Sequence, residues 1–340
     1  SKSPSKPRRF LEFLRGTPVW PHIEVTDGFA PVTRDDLLLA HEATYVDAFL
    51  SGKGPLAESN NMRWSPEFRD SVLLTNGCLL AAMRAATDDP TRITMAPVSG
   101  FHHASPDGGG GFCAFSGQVV AGLKLYRDGG LCGAWIDMDG HYGNSIEDSR
   151  EFAPDLERAI PDGCNVNPVG MHARYLTSLA DQLREIEAMV GRGELQYVCV
   201  AHGADSHEWD QLGLQCTTAE WLQAGRMVYE MLARCRNEAV ASGRRPVAVT
   251  LALFGGYRDD HPSRCWGCTR WTRRFVWRFW RASRWCTRQR FGRGTGGVEG
   301  GVLSASLGGD RLPRLSGRIV LPVQPASVAI RQHWPTFQKD

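Results

Sequence analysis

The stretch LCGAWIDMDGHYGN, residues 131–144, is the most informative about the fold. Its first half, 131–137, is a continuous apolar run, which is typical of a strand buried on both faces of a parallel sheet. Its second half carries Asp137, Asp139 and His141 at every second position. Side chains alternate with period two in an extended segment, so these three side chains point the same way. The stretch therefore predicts a buried strand that delivers two carboxylates and an imidazole to one place.

Apolar runs and helical stretches alternate on both sides of this strand. Three further runs suit buried strands: RITMAPV (92–98), LQYVCVA (195–201) and PVAVTLALF (246–254). The helical stretches lie at 35–50, 66–87, 117–126, 172–191 and 219–241. Strands that alternate with helices in this way predict an α/β protein, a three-layer α/β/α domain with a mostly parallel central sheet.

Polar clusters follow the carboxyl ends of all four predicted strands. His102 and His103 come after the first strand, Asp205 after the third and Tyr257 after the fourth. Ligands bind outside the carboxyl ends of the strands in open sheets of this type. Each residue alone also fits a helix cap or an ordinary loop position, but four clusters at one edge favour a functional site.

Three of these residues have the chemistry of a metal site. Asp139, His141 and Asp205 offer two carboxylates and one imidazole, all of which are zinc ligands in proteins. A catalytic zinc commonly has three protein ligands and an open position for water. The pattern therefore favours a hydrolytic metal centre.

Composition indicates a soluble protein. With 340 residues and 42% of them hydrophobic, the chain can bury one large core or two modest ones. No run approaches the roughly 18 apolar residues of a membrane helix, and the basic start SKSPSKPRRF has no apolar segment behind it. The ten cysteines lie mostly in apolar segments, which argues against a disulfide framework. We expect a cytoplasmic protein that does not bind membranes.

The motifs resemble the histone deacetylase and acetylpolyamine amidohydrolase superfamily, whose fold is shared with arginase, and we expect a bacterial-type member. The matching segments are GFHHA (100–104), GGGFCAF (109–115), IDMDGHYGN (136–144), GADSHEWDQLG (203–213) and GGY (255–257). They occur in the order of the family, and the resemblance covers about residues 8 to 262. The paired histidines together with Asp-x-Asp-x-His are the specific signal, whereas GGY alone would be weak.

The resemblance implies one zinc ion per chain, bound by Asp139, His141 and Asp205. The segment NVNPVGM (165–171) stands where many members have a glycine-rich turn that helps to hold potassium. A potassium ion near Asp137 and Asp139 is therefore a further expectation.

The resemblance also implies the catalytic residues. His102 and His103 match the paired histidines that act on the attacking water and the leaving amine, and Tyr257 matches the hydroxyl that binds the substrate carbonyl. Asp137 and Asn144 match the residues that orient the first and second histidine. A carboxylate holds an imidazolium better than an amide does, so we expect His102 to be the more basic and His103 the proton donor.

The function implied by the resemblance is zinc-dependent hydrolysis of an N-acetyl or N-acyl amide, releasing acetate or another short acid and a free amine. Acetyl-lysine, an acetylpolyamine and a small amide remain open as substrates, and the oligomeric state is open too. A ureohydrolase with two manganese ions is an alternative that the paired histidines and Tyr257 disfavour. A catalytically impaired metal-binding protein is another.

The carboxyl-terminal segment has a different composition from the rest. Residues 261–340 hold 15 Lys and Arg against 3 Asp and Glu, a balance of +12, whereas residues 1–260 hold 24 against 34, a balance of −10. The stretch SRCWGCTRWTRRFVWRFWRASRWCTR (263–288) interleaves arginine with tryptophan, as nucleic-acid-binding or membrane-binding arms do. We therefore divide the chain into a deacetylase-like domain, 1–262, and a basic tail, 263–340.

A frameshift is the interpretation of the tail that we favour. If GC-rich codons are chosen for 263–288 and the frame is moved by one base, the translation has the apolar periodicity of a helix and an ordinary composition. The glycine-rich GRGTGGVEGG that follows resembles a flexible linker. A functional basic arm and a disordered extension stay open. We also expect the domain to lack its first strand, because family members have one before the segment that resembles 6–16.

Overall fold

A seven-stranded parallel sheet forms the centre of the part of the chain that the computed structural model describes, residues 6–257 and 319–322. In chain order the strands are β1 Ile23–Thr26, β2 Ile93–Ala96, β3 Gly133–Asp137, β4 Asn165–Val166, β5 Tyr197–His202, β6 Ala248–Leu253 and β7 Ile319–Pro322. Their order across the sheet is β1-β7-β2-β6-β5-β3-β4, and every neighbouring pair is parallel. The carboxyl ends of all these strands therefore lie at the same edge.

Helices cover the sheet. They are α1 Lys6–Arg15, α2 Arg34–Leu37, α3 Ala43–Ser51, α4 Pro66–Asp88, α5 Gly117–Gly129, α6 Ser145–Asp148, α7 Leu156–Ala159, α8 Ala173–Arg192 and α9 Thr218–Ala241, with 3₁₀ turns at Trp20–His22 and Pro55–Glu58. α4 packs on β2, β6 and α5, and α8 packs on α9. The expected three-layer α/β/α architecture with a mostly parallel sheet is confirmed.

The four predicted strands are β2, β3, β5 and β6, and every residue in them is buried. Four predicted helices correspond to α4, α5, α8 and α9. Local side-chain chemistry sets where two of these helices begin. The Ser65 hydroxyl accepts a hydrogen bond from the Phe68 N–H at the start of α4, and Thr217 and Glu220 form a reciprocal capping box at the start of α9.

The prediction of a single helix over 35–50 is wrong, because a break in the helical structure separates α2 from α3. His41 lies in the break, where its Nδ1 donates to the Ser105 carbonyl at 2.8 Å and its Nε2 accepts from the Ser116 N–H at 2.9 Å. The Glu42 N–H donates to the Pro106 carbonyl at 2.8 Å. These hydrogen bonds to loop residues that are distant in sequence take the place of those that a continuous helix would make. The local apolar periodicity, which favoured a helix, does not indicate them.

Three short strands were not predicted. β1 has the sequence IEVT, with a charged residue and no fully buried position, and β4 has only two residues, so neither shows a clear apolar run. β7 lies within the segment 263–340, and its backbone pairs with β1 on one side and β2 on the other. The rest of that segment lies outside the described residues, so a frameshifted or disordered tail stays a prediction.

Candidate active site

The candidate site lies at the carboxyl edge of the sheet, where the loops after β2, β6, β5 and β3 are neighbours. Each of these loops supplies one of the polar clusters expected from the sequence. The structure brings all of the predicted site residues to this edge. These residues are His102, His103, Asp137, Asp139, His141, Asn144, Asp205 and Tyr257.

Asp139, His141 and Asp205 form a group whose ligand atoms all lie within 4.8 Å of one another. His141 Nδ1 lies between the two acids, 3.0 Å from Asp139 Oδ1 and 2.9 Å from Asp205 Oδ2. Both carboxylates are buried and the imidazole is half-buried. Among the described residues, this is the group of His, Cys, Asp and Glu side chains that could hold a metal ion.

Backbone N–H groups hold both carboxylates in place. Gly140 donates to Asp205 Oδ1 at 2.9 Å, and Gly255 donates to Asp139 Oδ2 at 2.6 Å. Glycine is required at position 255, because a Cβ there would overlap with the Asp205 carboxylate. The loops after β3, β5 and β6 therefore fix the geometry of this group together.

The electrostatics of the group favour a cation between the two acids. Hydrogen bonds that His141 donates to the Asp139 and Asp205 carboxylates raise the pKa of His141 to about 10. Burial raises the pKa of Asp205 to about 6. For Asp139, burial is outweighed by the hydrogen bond from His141 and the charge of His102, so its pKa lies below its usual range. Two carboxylates and an imidazole that converge on a positive charge fit the donor set of a three-ligand zinc site.

His102 and His103 lie next to this group with their ring centroids 4.0 Å apart, and each has a different partner. His102 Nδ1 lies 2.8 Å from Asp137 Oδ2, and His103 Nδ1 lies 2.9 Å from Asn144 Oδ1. A carboxyl oxygen and an amide oxygen both accept, so each Nδ1 carries a hydrogen and each Nε2 is the atom left for chemistry.

The two partners give the histidines opposite pKa shifts. Burial alone would lower the pKa of His102, but the Asp137 carboxylate outweighs it and raises the pKa to about 9. Burial and the neighbouring His102 charge lower the pKa of His103, because Asn144 offers no negative charge to compensate. The expectation that His102 is the more basic of the two agrees with this arrangement.

Tyr257 lies beside His141 of this group. Its ring centroid is 6.0 Å from that of His141 and 6.4 Å from that of Phe112. Burial, together with the charges of Asp139 and Asp205, raises the pKa of Tyr257, so its hydroxyl keeps its hydrogen at neutral pH. A hydroxyl in this state is a hydrogen-bond donor.

A cavity of about 130 Å³ opens beside the site. His102, Asp139 and Tyr257 contribute to its wall, which is otherwise a mixture of apolar side chains, such as Met62 and Phe68, and polar ones, such as Thr75 and Asn76. At the edge of this cavity the Phe112 side chain is 45% exposed, with its backbone in the left-handed region (φ 68°). Polar reactive groups in a partly apolar cavity are typical of a small-molecule or side-chain binding site.

Sequence reasoning did not identify Asp210. Its buried carboxylate accepts from the Leu212 N–H at 3.0 Å and from the Tyr257 N–H at 2.8 Å, so it joins the loop after β5 to the backbone of Tyr257. The available signal was weak, because Asp210 is one of several polar residues in DSHEWD, and only the fold shows that it is buried.

Comparison with known proteins points to one family. Residues 1–156 match the family model "Histone deacetylase domain". "Histone deacetylase 14, chloroplastic" of Arabidopsis thaliana is 28% identical over 272 residues, which cover 67% of this chain and 61% of that protein. "Histone deacetylase 8" of Xenopus laevis is 26% identical over 212 residues, which cover 58% of this chain and 63% of that protein. The matches therefore span about three fifths of the length of these curated relatives.

The fold has a counterpart among solved structures. The crystal structure of the HDA15 HD domain matches with a TM-score of 0.62 and 18% sequence identity, covering 84% of this chain and 85% of that chain. At this identity the likeness shows the fold. Within residues 6–257, no helix is long and apolar enough to cross a membrane.

Proposed function

We propose that this chain, which is similar to histone deacetylases, is a metal-dependent amidohydrolase that removes the acetyl or a related short acyl group from an N-acylated amine. The products are acetate, or another short acid, and the free amine. The observation that carries the proposal is the convergence of a three-ligand group with two differently partnered histidines at one edge of the sheet.

Asp139, His141 and Asp205 are the residues proposed to hold zinc. When bound, zinc would supply Lewis-acid polarisation of the amide carbonyl and would lower the pKa of water to about 7. The Gly140 and Gly255 N–H groups hold the two carboxylates in the positions from which they would bind the ion. A potassium ion near Asp137 and Asp139 stays a prediction.

The two histidines have different proposed roles. His102 is held as a cation by Asp137 and stabilises the negative charge that develops on the attacked carbonyl. His103 is neutral, since an amide cannot stabilise an imidazolium as a carboxylate can, and its Nε2 takes the proton of the attacking water. The same nitrogen then gives this proton to the leaving amine. Positioned acid–base groups of this kind contribute about 10²–10⁴-fold to a rate.

Tyr257 is the proposed oxyanion donor. Its hydroxyl keeps its hydrogen and its ring lies beside that of His141, so the hydroxyl is the donor proposed for the carbonyl oxygen as charge develops there. Asp210 holds the backbone of Tyr257 and so positions this donor.

The leaving amine is not specified by these contacts. Acetyl-lysine in a protein, an acetylated polyamine and a small amide all present the same carbonyl. The exposed Phe112 ring, near that of Tyr257, provides an apolar contact for the methylene chain of a long amine such as lysine. Acetyl-lysine in a peptide is therefore the first substrate to test.

The test is acetate release from an acetyl-lysine peptide, an acetylated polyamine and a small acetamide. Measurements would use the full chain as purified, after removal of metal with a chelator, and after addition of zinc. We expect turnover that chelation abolishes and zinc restores. Turnover that survives complete removal of metal would contradict the proposed chemistry, and zinc-dependent turnover of the polyamine alone would reassign the substrate.

A further inference from the structure

Asn144 lies between His103 and Asp148, and its side-chain amide contacts both. Its Oδ1 accepts from His103 Nδ1 at 2.9 Å, and its Nδ2 donates to Asp148 Oδ2 at 2.5 Å. The backbone fixes this spacing, because Asn144 immediately precedes α6 and the Asp148 N–H donates to the Asn144 carbonyl at 2.9 Å. Residues four apart on a helical turn lie on the same face, so the carboxylate reaches the amide directly.

An amide can face a histidine in two ways, with opposite consequences. With Oδ1 toward the ring, Nδ1 must carry the hydrogen, and Nε2 keeps a lone pair that can accept a proton. With Nδ2 toward the ring, Nδ1 must accept, and the hydrogen of the neutral imidazole moves to Nε2. A ring in the second state cannot act as a base at Nε2. The direction of the Asn144 amide therefore decides whether His103 can take a proton.

Nothing in the His103–Asn144 contact alone selects the first direction. His102 does not have this ambiguity, because both oxygens of Asp137 can only accept. An ionised Asp148 is also an acceptor only, so it binds the NH₂ side of Asn144 and repels the carbonyl side. Asp148 therefore selects the direction in which Asn144 Oδ1 faces His103.

We propose that Asp148 is a positioning residue that fixes the direction of the Asn144 amide and thereby keeps the hydrogen of neutral His103 on Nδ1. This inference rests on the proposed function, since it concerns the base of that reaction. Asp148 itself is exposed and touches no reacting atom, so it acts only through Asn144.

Kinetics of Asp148→Ala and Asp148→Asn test the inference. The alanine variant removes the acceptor, and the asparagine variant keeps the volume but can face Asn144 with either end. We expect both to lower kcat about tenfold with KM changed by less than about twofold, since partners of this kind are worth about 10–100-fold. Glu151→Ala is the matched control, because it removes an exposed acid three residues away and should leave kcat unchanged.

Rescue separates orientation of the amide from a general effect on α6. A carboxylate at position 144 has no donor end, so it needs no partner to set its direction. We expect Asn144→Asp combined with Asp148→Ala to be several-fold more active than Asp148→Ala alone. A double variant no more active than Asp148→Ala would contradict the proposal.

Nitrogen NMR of the zinc-loaded chain reads the His103 tautomer without any turnover. The ring signals are assigned by their loss in His103→Gln. We expect the hydrogen on Nδ1 in the native chain and in the double variant, and a shift toward Nε2 in Asp148→Ala. An unchanged tautomer in Asp148→Ala would overturn the inference. If the native chain hydrolyses no amide, the proposed function fails, whereas this measurement still decides the role of Asp148.

Discussion

His41 and His102 are buried and His103 is partly buried, and the partner of each ring determines its state. His102 faces a carboxylate, His103 faces an amide oxygen, and His41 lies between a carbonyl and a backbone N–H. Burial opposes a positive charge on every one of them, so only the ring with a carboxylate partner is held as a cation. The two adjacent histidines therefore differ in charge, because His102 has a carboxylate partner in Asp137 and His103 has an amide partner in Asn144.

Replacing Tyr257 by phenylalanine should reduce turnover without affecting metal binding. The substitution removes one hydroxyl donor and leaves the ring beside His141. Loss of one oxyanion donor costs about 10²–10³-fold in kcat. Tyr126→Phe, a partly buried tyrosine in α5, is the matched control and should behave like the native chain. A Tyr257→Phe variant with native kcat would remove Tyr257 from the mechanism.

Replacing His41 by glutamine should make the chain less sensitive to acid. Burial lowers the pKa of His41 from 6.5 to about 4, so between these values the unfolded state binds more protons than the folded state. The contribution of His41 to stability is therefore present above about pH 6.5 and is lost as the pH falls toward about 4.

Urea unfolding at the two ends of this pH range measures the effect. The free energy of unfolding of the native chain should fall on acidification by on the order of 3 kcal/mol more than that of His41→Gln. The control His172→Gln removes an exposed histidine and should not reduce the fall. Equal falls in the native chain and His41→Gln would show that His41 is not held neutral.

At the scale of elements, the loops after the strands hold the site. The loop after β6 supplies Gly255, whose N–H binds Asp139 and whose missing Cβ leaves room for Asp205. The loop after β5 supplies Asp205 itself and Asp210, which binds the Tyr257 N–H. Each loop therefore positions a functional residue of another loop.

Gly255→Ala should abolish metal binding while the chain still folds. The added methyl group overlaps with the Asp205 carboxylate, so that ligand must move away from Asp139 and His141. We expect zinc content after dialysis to fall from one per chain to a small fraction, with native circular dichroism. Gly28→Ala is the control, since a Cβ there has no neighbouring atom within 4 Å. Full zinc content in Gly255→Ala would contradict the geometry of the site.

The convergence of the candidate site residues was predictable for those that come shortly after a strand. Asp139, Asp205 and Tyr257 each come shortly after an apolar run, so a parallel sheet brings them together whatever the lengths of the intervening loops. The break at His41 was not predictable, because its partners Ser105 and Ser116 are distant in sequence. Asp210 and Asp148 were not predicted as site residues for a similar reason. Asp210 accepts from the Tyr257 N–H and Asp148 from the Asn144 amide, and the sequence around each acid does not indicate these contacts.

At the scale of the whole molecule, β7 connects β1 to the rest of the sheet. Among the described strands, β1 pairs with β7 alone, through Ile23–Thr26 and Ile319–Pro322. β7 in turn pairs with β2 at Ile93 and Thr94. The segment 263–340, whatever its origin, therefore contributes a strand to the sheet that carries the site.

Deleting residues 263–340 should expose the backbone of β1. Without β7, the N–H groups of Ile23–Thr26 that pair with it lose their acceptors, and hydrogen exchange at these amides should become fast. The control deletion of 323–340 keeps β7 and should leave their protection unchanged. Protection of these amides that is unaffected by the longer deletion would show that β1 does not depend on β7.

Zinc content and acetate release, measured on the same samples, test the proposed zinc amidohydrolase site at the carboxyl edge of the sheet. The samples are the native chain, Asp205→Ala and the exposed-acid control Asp27→Ala, with an acetyl-lysine peptide as substrate. We expect one zinc and turnover in the native chain and in Asp27→Ala, and loss of both in a folded Asp205→Ala. A folded native chain that binds no zinc, or an Asp205→Ala variant that keeps both zinc and turnover, would contradict it.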